Sequence, residues 1–525
     1  MWCNFIQFLV NMHIGQTISD GEGALKTDAL YCIDLPTHPK PSAGPVLVTG
    51  GTGYIGGRLV HELMARGYTV RVMVRKASPE HAERWPGAEL VVADASDAAS
   101  LFIALKGIHT AYYLIHSLLL GPKEFEATDQ ANARNFRLAA SGNGVSHIIY
   151  LGGLGDVRTL LSPHLRSRTQ VAAELGSGTV PTTVLRAAVI IGSGSASFEI
   201  IHHLVRRLRV IAIPWWGRTK CQPIGIRDVI KYLVGVLEHP AAAGQSYDIG
   251  GPDVLTYEEM LRVIAEVLGK RLFFIPIHVS NVKLYAYICS LLTPVPAPIT
   301  RSLMEGLRND VVCLDSKIRT LIPFHPVAYR EAVREAMAHE AQDSVHTRWS
   351  DSYPPHHEYS VKLHELPHAP RYTASASVLS ARSSSELFKS VCMIGGKQGW
   401  SHGNWMWRLR GMLDKLIMGV GTTRGRRSSF TLRVNDVVDF WRVESLHKNR
   451  MLLLRAEMKL PGLAWLKFSI DPEKGGQRLS VVAYYDTARW YGKLYWYVFL
   501  PFHGYLFDRL VRNISERVLD ATIRA

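Results

Sequence analysis

The chain predicts an α/β architecture: a doubly wound parallel sheet with a substrate-side lobe, followed by a separate α+β domain. Three observations carry this. A short apolar run, VLVTG (46–50), passes into the glycine-rich turn GGTGYIGG (50–57) and then into helical periodicity at Ile55, Leu59, Leu63 and Met64. Strand-like and helix-like segments then alternate, with short connections, as far as residue 192. Near residue 373 the pattern changes to long, aromatic-rich alternating stretches. A length of 525 residues fits two or three domains better than one.

In the first turn, Gly50, Gly53 and Gly56 form a GxxGxxG trio. A turn without Cβ atoms lets backbone amides approach a pyrophosphate and lets the helix pack tightly on the strand. Thr49, Gly50, Gly51, Thr52, Gly53, Tyr54, Ile55 and Gly56 are therefore the candidate phosphate cradle of a Rossmann-type site. YTVRVMVRK (68–76) is the second strand. An acid at its end would suit the ribose hydroxyls of NAD; this chain has Arg75 and Lys76 instead. Two cations suit the adenosine 2′-phosphate, so NADP is the preferred cofactor and NAD the alternative; the competing reading is two solvated charges.

AELVVADASD (88–97) is the third strand, with Asp94 and Ala95 where an adenine-contacting loop would pass. TAYYLIHS (110–117) is the fourth, carrying Ile115 and ending in the polar pair His116–Ser117. A helix over 125–141, a fifth strand HIIYLGG (147–153) and a sixth, PTTVLRAAVIIG (181–192), complete the alternation. Ligands of such sheets bind beyond the strands' carboxyl ends, so Gly50–Gly56, Arg75, Asp94, His116 and Gly152–Gly153 converge on one crevice.

TGGTGYIGG, VRK, VVADASD, LRAAVIIGSG, PIGIRDVIKYLVGVLEHP (223–240) and YDIGGPDVLTYEEM (247–260), in this order, resemble the atypical and extended short-chain dehydrogenase/reductase family, near its NmrA-like and epimerase-like branches. The likeness covers roughly 45–345. It implies a dinucleotide site, an LRAAVIIG loop near the nicotinamide, and an Asp228 that caps and anchors a helix beside the cofactor. From the residues alone, Asp228 stands near the start of an apolar-periodic helix, a good cap position.

The family's proton donor is a tyrosine, helped by a lysine four residues later on the same helix face. In SPHLRSRTQVAAE those positions hold His164 and Arg168, and the family's preceding serine falls near Gly152–Gly153. Three readings compete: His164 as general acid, Arg168 as a holder of ribose or phosphate oxygens, or a helix surface in a fold that binds a dinucleotide without turnover. His116, at a strand's carboxyl end, is the spare candidate. Tyr112, Tyr113 and Tyr150 lie within apolar strands and read as core.

The segments 195–222 and 253–345 are expected to fold over the crevice. NVKLYAYICSLLTPVPAP (281–298) reads as a short apolar helix broken by prolines, as core or as a substrate-lining or membrane-facing wall. FHPVAYREAVREAMAHE (324–340) is a helix, and 346–372 reads as a linker. Beyond it, FTLRVNDVVDFWRVE (430–444), MLLLRAEMKLPGLAWLKFSI (451–470) and RLSVVAYYD (478–486) read as strands, and 502–522 as a closing helix. Over 373–525 this is an α+β domain that a helix-grip fold would suit. IGGKQGW, WRLRGMLDKLIMGVG, RGRR, DFWRVE, LRAEMKLPG and YWYVFLPFH resemble a bacterial domain of unknown function often fused to dehydrogenase-like domains.

Lys and Arg total 60 against 45 Asp and Glu, a net charge of +15. The excess would suit nucleic acid, anionic lipid or a phosphorylated cofactor, but no nucleic-acid module is recognisable, so no nucleic-acid partner is expected. Between 401 and 460 twelve bases face five acids, with Trp405, Trp407, Trp441 and Trp465 nearby. That excess suits an anionic ligand, a bilayer surface or a solvated face. The WYGKLYWYVFLPF run (490–502) invites an interfacial reading but is too short to span a bilayer. The six cysteines, at 3, 32, 221, 289, 313 and 392, have no metal-ligand spacing and suggest a reducing compartment. Residues 1–44 read as a poorly ordered extension, with Met12 as an alternative start. The expectation is a cytoplasmic NADP-dependent oxidoreductase acting on a carbonyl, sugar- or lipid-like substrate, with peripheral contact at the inner face of the membrane through its C-terminal half. The alternative is a non-catalytic NADP-binding sensor or scaffold.

Overall fold

The computed structural model describes residues 30–116, 125–155, 160–278, 281–342, 345, 347–352, 361–396, 398–400, 404–422, 424 and 426–517. Residues 1–29 and Ser117 lie outside them. Among the described residues, seven parallel strands form one sheet in the order Ser246–Ile249, Thr182–Ala187, His147–Gly153, Thr110–Tyr113, Val46–Val48, Val70–Val74, Glu89–Val92. The chain starts mid-sheet, winds outward one way and returns to wind the other, so a switch point lies between Val46–Val48 and Thr110–Tyr113. Central strands buried on both faces explain the unbroken apolar runs. One face is covered by helices Tyr54–Ala65 and Ile226–Glu238, with Leu59, Leu63, Val229 and Leu233 in the core. The other is covered by Ala98–Ala104, Phe125–Gly142 and Pro163–Gly176, which bury Leu101, Phe136 and Leu175.

Several expectations change. The sixth strand is not continuous over 181–192: Thr182–Ala187 stays in the sheet, while Ile190–Ile191 leaves it to pair with Ile224–Gly225. Ser246–Ile249 is an outer strand that the sequence reading did not identify. Asp228 is not the cap. Gly225 holds that position, and Asp228, one turn inside, accepts a hydrogen bond from the Val327 amide at 2.8 Å, tying the lobe to the helix. The expected extension is packed from Tyr31 onward, because the Glu62 carboxylate accepts the Tyr31 and Cys32 amides and Asp34 pairs with Lys231 at 2.7 Å.

The lobe over the crevice packs Ala196–Arg207, Tyr257–Val267, Val282–Leu292, Ala297–Gly306 and Tyr329–Ala341 around a second core containing Phe198, Ile264 and Val333. Part of the expected linker is a fixed strap. Thr347, Arg348 and Ser350 are buried, Arg348 pairs with Glu199 and Glu340, and the Trp349 amide donates to the Gly194 carbonyl.

The C-terminal domain is a six-stranded antiparallel sheet in the order Tyr372–Ser380, Gly476–Asp486, Leu463–Glu473, Met451–Ala456, Trp441–His447, Val437–Val438. The strand expected over 430–444 shrinks to two short pieces, because Asn435 and Asp439 adopt positive φ (70° and 55°) and turn the chain. The one expected over 451–470 is two strands broken at Pro461–Gly462. The closing helix runs Trp490–Glu516, absorbing the aromatic run and continuing through Pro501. Its inner side adds Phe507, Leu510, Val511 and Ile514 to one core with Leu454 and Phe468, and the helix packs on Tyr372–Ser380 and Gly476–Asp486.

Much of the basic excess of 401–460 is internal. Arg424, Arg442 and Arg455 converge on the buried Glu457, and Arg427 pairs with Asp436 at 2.9 Å. Trp407, Trp441 and Trp465 are core; Trp405 is exposed. The halves are joined where Lys415 Nζ donates to the Ser290, Leu291 and Thr293 carbonyls, the Tyr287 hydroxyl donates to the Leu416 carbonyl, and Arg442 donates to the Ser350 carbonyl.

Candidate functional site

The glycine loop has the geometry its spacing demands. Gly50 adopts φ +66°, and a Cβ there would lie 2.8 Å from the Leu114 carbonyl oxygen. At Gly56 a Cβ would meet the Gly50 oxygen at 2.3 Å, so any side chain would force the helix off the loop. Gly51 stands equally close to Val72, 2.4 Å from its Cγ1. At Gly53, the N-cap of the helix, a Cβ would meet one atom within 4 Å, the Gly50 oxygen at 3.1 Å, so the space over the helix start is open. That start has no side-chain cap and no acid in its first turn. An open, uncapped helix N-terminus behind a glycine loop fits a dinucleotide pyrophosphate. Thr52 and Ile55 are half-buried in this turn.

Two members of the expected cradle face inward. The buried Thr49 hydroxyl donates to the Tyr112 carbonyl and accepts from the Leu114 amide, so it ties two strands together. Tyr54 packs its ring under Arg58, 4.4 Å from the guanidinium carbon, and its hydroxyl against Gly192. Arg58 itself donates to the Ser193 and Thr347 carbonyls, so the strap braces the glycine-loop helix. The sequence reading missed this brace, since residues 289 apart carry no local signal.

At the adenosine end, Arg75 is exposed. Lys76 pairs with Glu365, and Lys362 and Arg455 lie close enough to lower its pKa after desolvation has done so. Lys76 therefore already has a carboxylate partner, and the end of the second strand abuts the C-terminal domain. Asp94 accepts from the Ser96 amide and hydroxyl, and Asn135 donates to the Ala95 carbonyl at 3.2 Å. These bonds shape the loop beside which an adenine would lie.

At the other end, His116, His164 and Arg168 come together, with Ile115 packed beside the fourth strand's core. Burial, then Arg168, then His116, hold the half-buried His164 imidazole well below its usual range. His116 is exposed beside this pair; desolvation and Arg168 both favour its neutral form. Burial opposes the Arg168 charge, but Tyr150 and Asp129 outweigh it, and its pKa is raised. At neutral pH the pair is therefore a neutral imidazole beside a fixed cation. A neutral imidazole donates a hydrogen bond but has no imidazolium proton to give. Near the family's serine position, a Cβ at Gly152 would lie 3.0 Å from the Tyr150 ring, and one at Gly153 would lie 3.2 Å from Leu165.

Beyond His164 lies a cavity of about 170 Å³. Its walls are apolar, with Leu204, Ile213, Trp216, Met260, Tyr285 and Leu303 among them, and they meet the sheet at Gly153 and Ala187–Val189. Trp216 and Tyr285 stand edge to face at 5.4 Å. The Tyr285 hydroxyl is engaged by the Ala212 carbonyl, whereas the buried Trp216 Nε1 has no acceptor among the described residues. These walls come from the segments 195–222 and 253–345 expected over the crevice, of which only 281–298 reads as lining a substrate; the WW pair after IAIP is the other visible signal.

Comparison with known proteins adds kinship. The chain is 27% identical over 268 residues to a chloroplastic divinyl chlorophyllide a 8-vinyl-reductase of Oryza sativa subsp. indica, covering 47% of this chain and 64% of that one. It is 25% identical over 229 residues to a mitochondrial NADH dehydrogenase [ubiquinone] 1 alpha subcomplex subunit 9 of Arabidopsis thaliana, covering 42% and 57%. The chain thus spans less than two thirds of either relative. A solved triphenylmethane reductase of Citrobacter sp., complexed with NADP(H), is 21% identical with a TM-score of 0.47, covering 56% of this chain and 99% of that one. Residues 367–510 match a protein family of unknown function, DUF2867. The NmrA-like family model matches residues 42–309, just over half of the sequence, and the chain belongs to that family.

Proposed function

We propose that this protein is an NADP-dependent reductase of a small, largely apolar substrate bearing one polarised oxygen. The observation that carries the reading is the apolar cavity opening between His164 and the carboxyl ends of the strands, on the same edge as the open glycine loop. A cavity of about 150 Å³ already holds a benzene ring, so this one suits an aromatic or isoprenoid group better than a sugar.

The glycine-loop amides of Gly50–Gly56 would hold the pyrophosphate, Arg75 the adenosine 2′-phosphate, and the 94–95 loop the adenine. The reduced nicotinamide supplies a hydride when bound. The chain's own part is orientation and electrostatics: the cavity walls hold the apolar body, and the neutral His164 donates an N–H to the substrate oxygen. Arg168 stabilises the negative charge that gathers there, and water beside the exposed His116 supplies the proton. The tight approach at Gly152–Gly153, where a Cβ would press on the Tyr150 ring and on Leu165, favours a second reading, a dinucleotide-binding protein without turnover.

Fluorescence titration with NADPH and NADH, followed by absorbance assays against apolar aldehydes, ketones and quinones, tests the proposal. NADPH is expected to bind the more tightly, and Arg75→Asp to weaken NADPH more than NADH. Equal losses would reject the phosphate contact. Failure to bind either nucleotide would overturn both readings, and binding without turnover of any apolar carbonyl would favour the second.

A further inference from the structure

Helix Asn404–Leu416 is inside out. Its charged Asp414 and Lys415 are buried, and Trp405, Leu409, Met412, Leu413 and Leu416 are exposed. The inward charges are fully engaged: Asp414 accepts from the Gly421 and Lys459 amides, and Lys415 closes the carbonyl end of helix Val282–Leu292. A helix in water presents the opposite pattern, so the apolar stripe has an occupant to meet. The stripe continues into the exposed Ile417 and Met418.

Two neighbouring helices extend it. On one side Lys415 and Tyr287 bind it to Val282–Leu292, whose outer side exposes Leu284 and Ile288. On the other, Arg410 lies over Tyr495 and Phe499 of Trp490–Glu516, at 5.2 and 5.7 Å. The exposed side of that helix carries Trp490, Leu494, Tyr497, Val498, Phe502 and Tyr505.

We propose that these three helices form a surface that docks on the face of an anionic lipid bilayer. Charge selects this occupant. The sequence 488–507 contains no acid, 282–292 contains none, and the one acid of 404–418 is the buried Asp414. The exposed cations are Lys283, Arg408, Lys459, Arg489 and Lys493. A second copy of the face would set cations against cations, whereas anionic headgroups complement them. Tryptophan and tyrosine among aliphatic side chains suit the headgroup boundary. No helix among the described residues is long and apolar enough to cross a membrane, so the surface lies on the bilayer. Helix Val282–Leu292 turns Tyr285 into the apolar cavity from its other side, which puts the cavity wall directly behind the docked surface. The docking surface stands whether or not the cavity turns over a substrate.

The test is flotation of the full chain with phosphatidylcholine vesicles, with and without phosphatidylglycerol, at low and high salt. Its companion is the triple variant Trp405→Ser/Leu409→Ser/Leu413→Ser, whose positions are all exposed. The native chain is expected to float with phosphatidylglycerol vesicles at low salt. About tenfold weaker binding is expected for the variant and for phosphatidylcholine alone. NADPH binding and the circular dichroism of the variant should be unchanged, which shows that it is folded. Native protein that stays unbound, or a folded variant that floats equally well, would overturn the proposal. So would a stable dimer that the variant dissolves, since the face would then belong to a second copy.

Discussion

His164 and Arg168 sit one helical turn apart, as their family counterparts do, and work in a different currency. A tyrosine beside a lysine is a proton donor with a lowered pKa; a neutral imidazole beside a guanidinium is a hydrogen-bond donor beside a fixed charge. With the first substrate that turns over, His164→Phe is expected to lower kcat/KM by about 10²–10³, the cost of one oxyanion donor. His164→Asn, which keeps an N–H, should lose less. The native pH profile should show no ionisation near 6.5; a limb there that vanishes in His164→Phe would support the general-acid role instead. A second histidine tests burial alone. His147 bonds Thr183 Oγ1 at 2.7 Å, and desolvation, with His109, holds its pKa to about 4. Below pH 6.5 the unfolded chain takes up this proton and the folded one does not, so stability falls as pH falls toward 4. The stability advantage of native protein over His147→Gln should shrink by ~2 kcal/mol between pH 7 and pH 5. A difference independent of pH, by urea unfolding, would reject it.

Among the elements, the glycine loop and its helix are the part most plainly written in the sequence. GGTGYIGG must turn sharply and let a helix touch a strand, and local spacing alone states both needs. Gly56→Ala would place a methyl 2.3 Å from the Gly50 oxygen. The expected result is loss of NADPH binding by about tenfold or more with little change in helix content, since alanine favours helices. Unaltered affinity by titration would mean that the loop does not cradle phosphate. The strand boundaries were less legible. Residues 430–444 alternate like one strand, but Asn435 and Asp439 take left-handed turns that alternation does not reveal. Ser246–Ile249 was missed because four residues between a glycine-rich connection and another glycine pair offer little pattern. The helix from Trp490 was missed because Gly492 and Pro501 argue locally against it, while packing on Tyr372–Ser380 holds it together.

At the scale of the whole molecule, two halves distant in sequence are joined by buried charge. Glu457 is fully enclosed, yet Arg442 and Arg424 overcome the cost of burial and hold its carboxyl below the usual range. Arg442 also reaches the Ser350 carbonyl of the strap, which braces the glycine-loop helix through Thr347 and Arg58. Glu457→Gln would remove the carboxylate that three guanidinium groups share, and a loss of ~3–5 kcal/mol is expected in denaturant unfolding followed by tryptophan fluorescence. A loss under about 1 kcal/mol would show that the network is dispensable. The twelve bases of 401–460 looked like a surface charge because composition counts them without saying which way they point. The alternation of strand and helix, the glycine turn and kinship follow from local spacing, since backbone geometry and hydrophobic period act over a few residues. The protonation of His164, the apolar cavity, the internal arginines and the inside-out helix arise where distant segments meet. There, burial and neighbouring charge decide what each side chain can do.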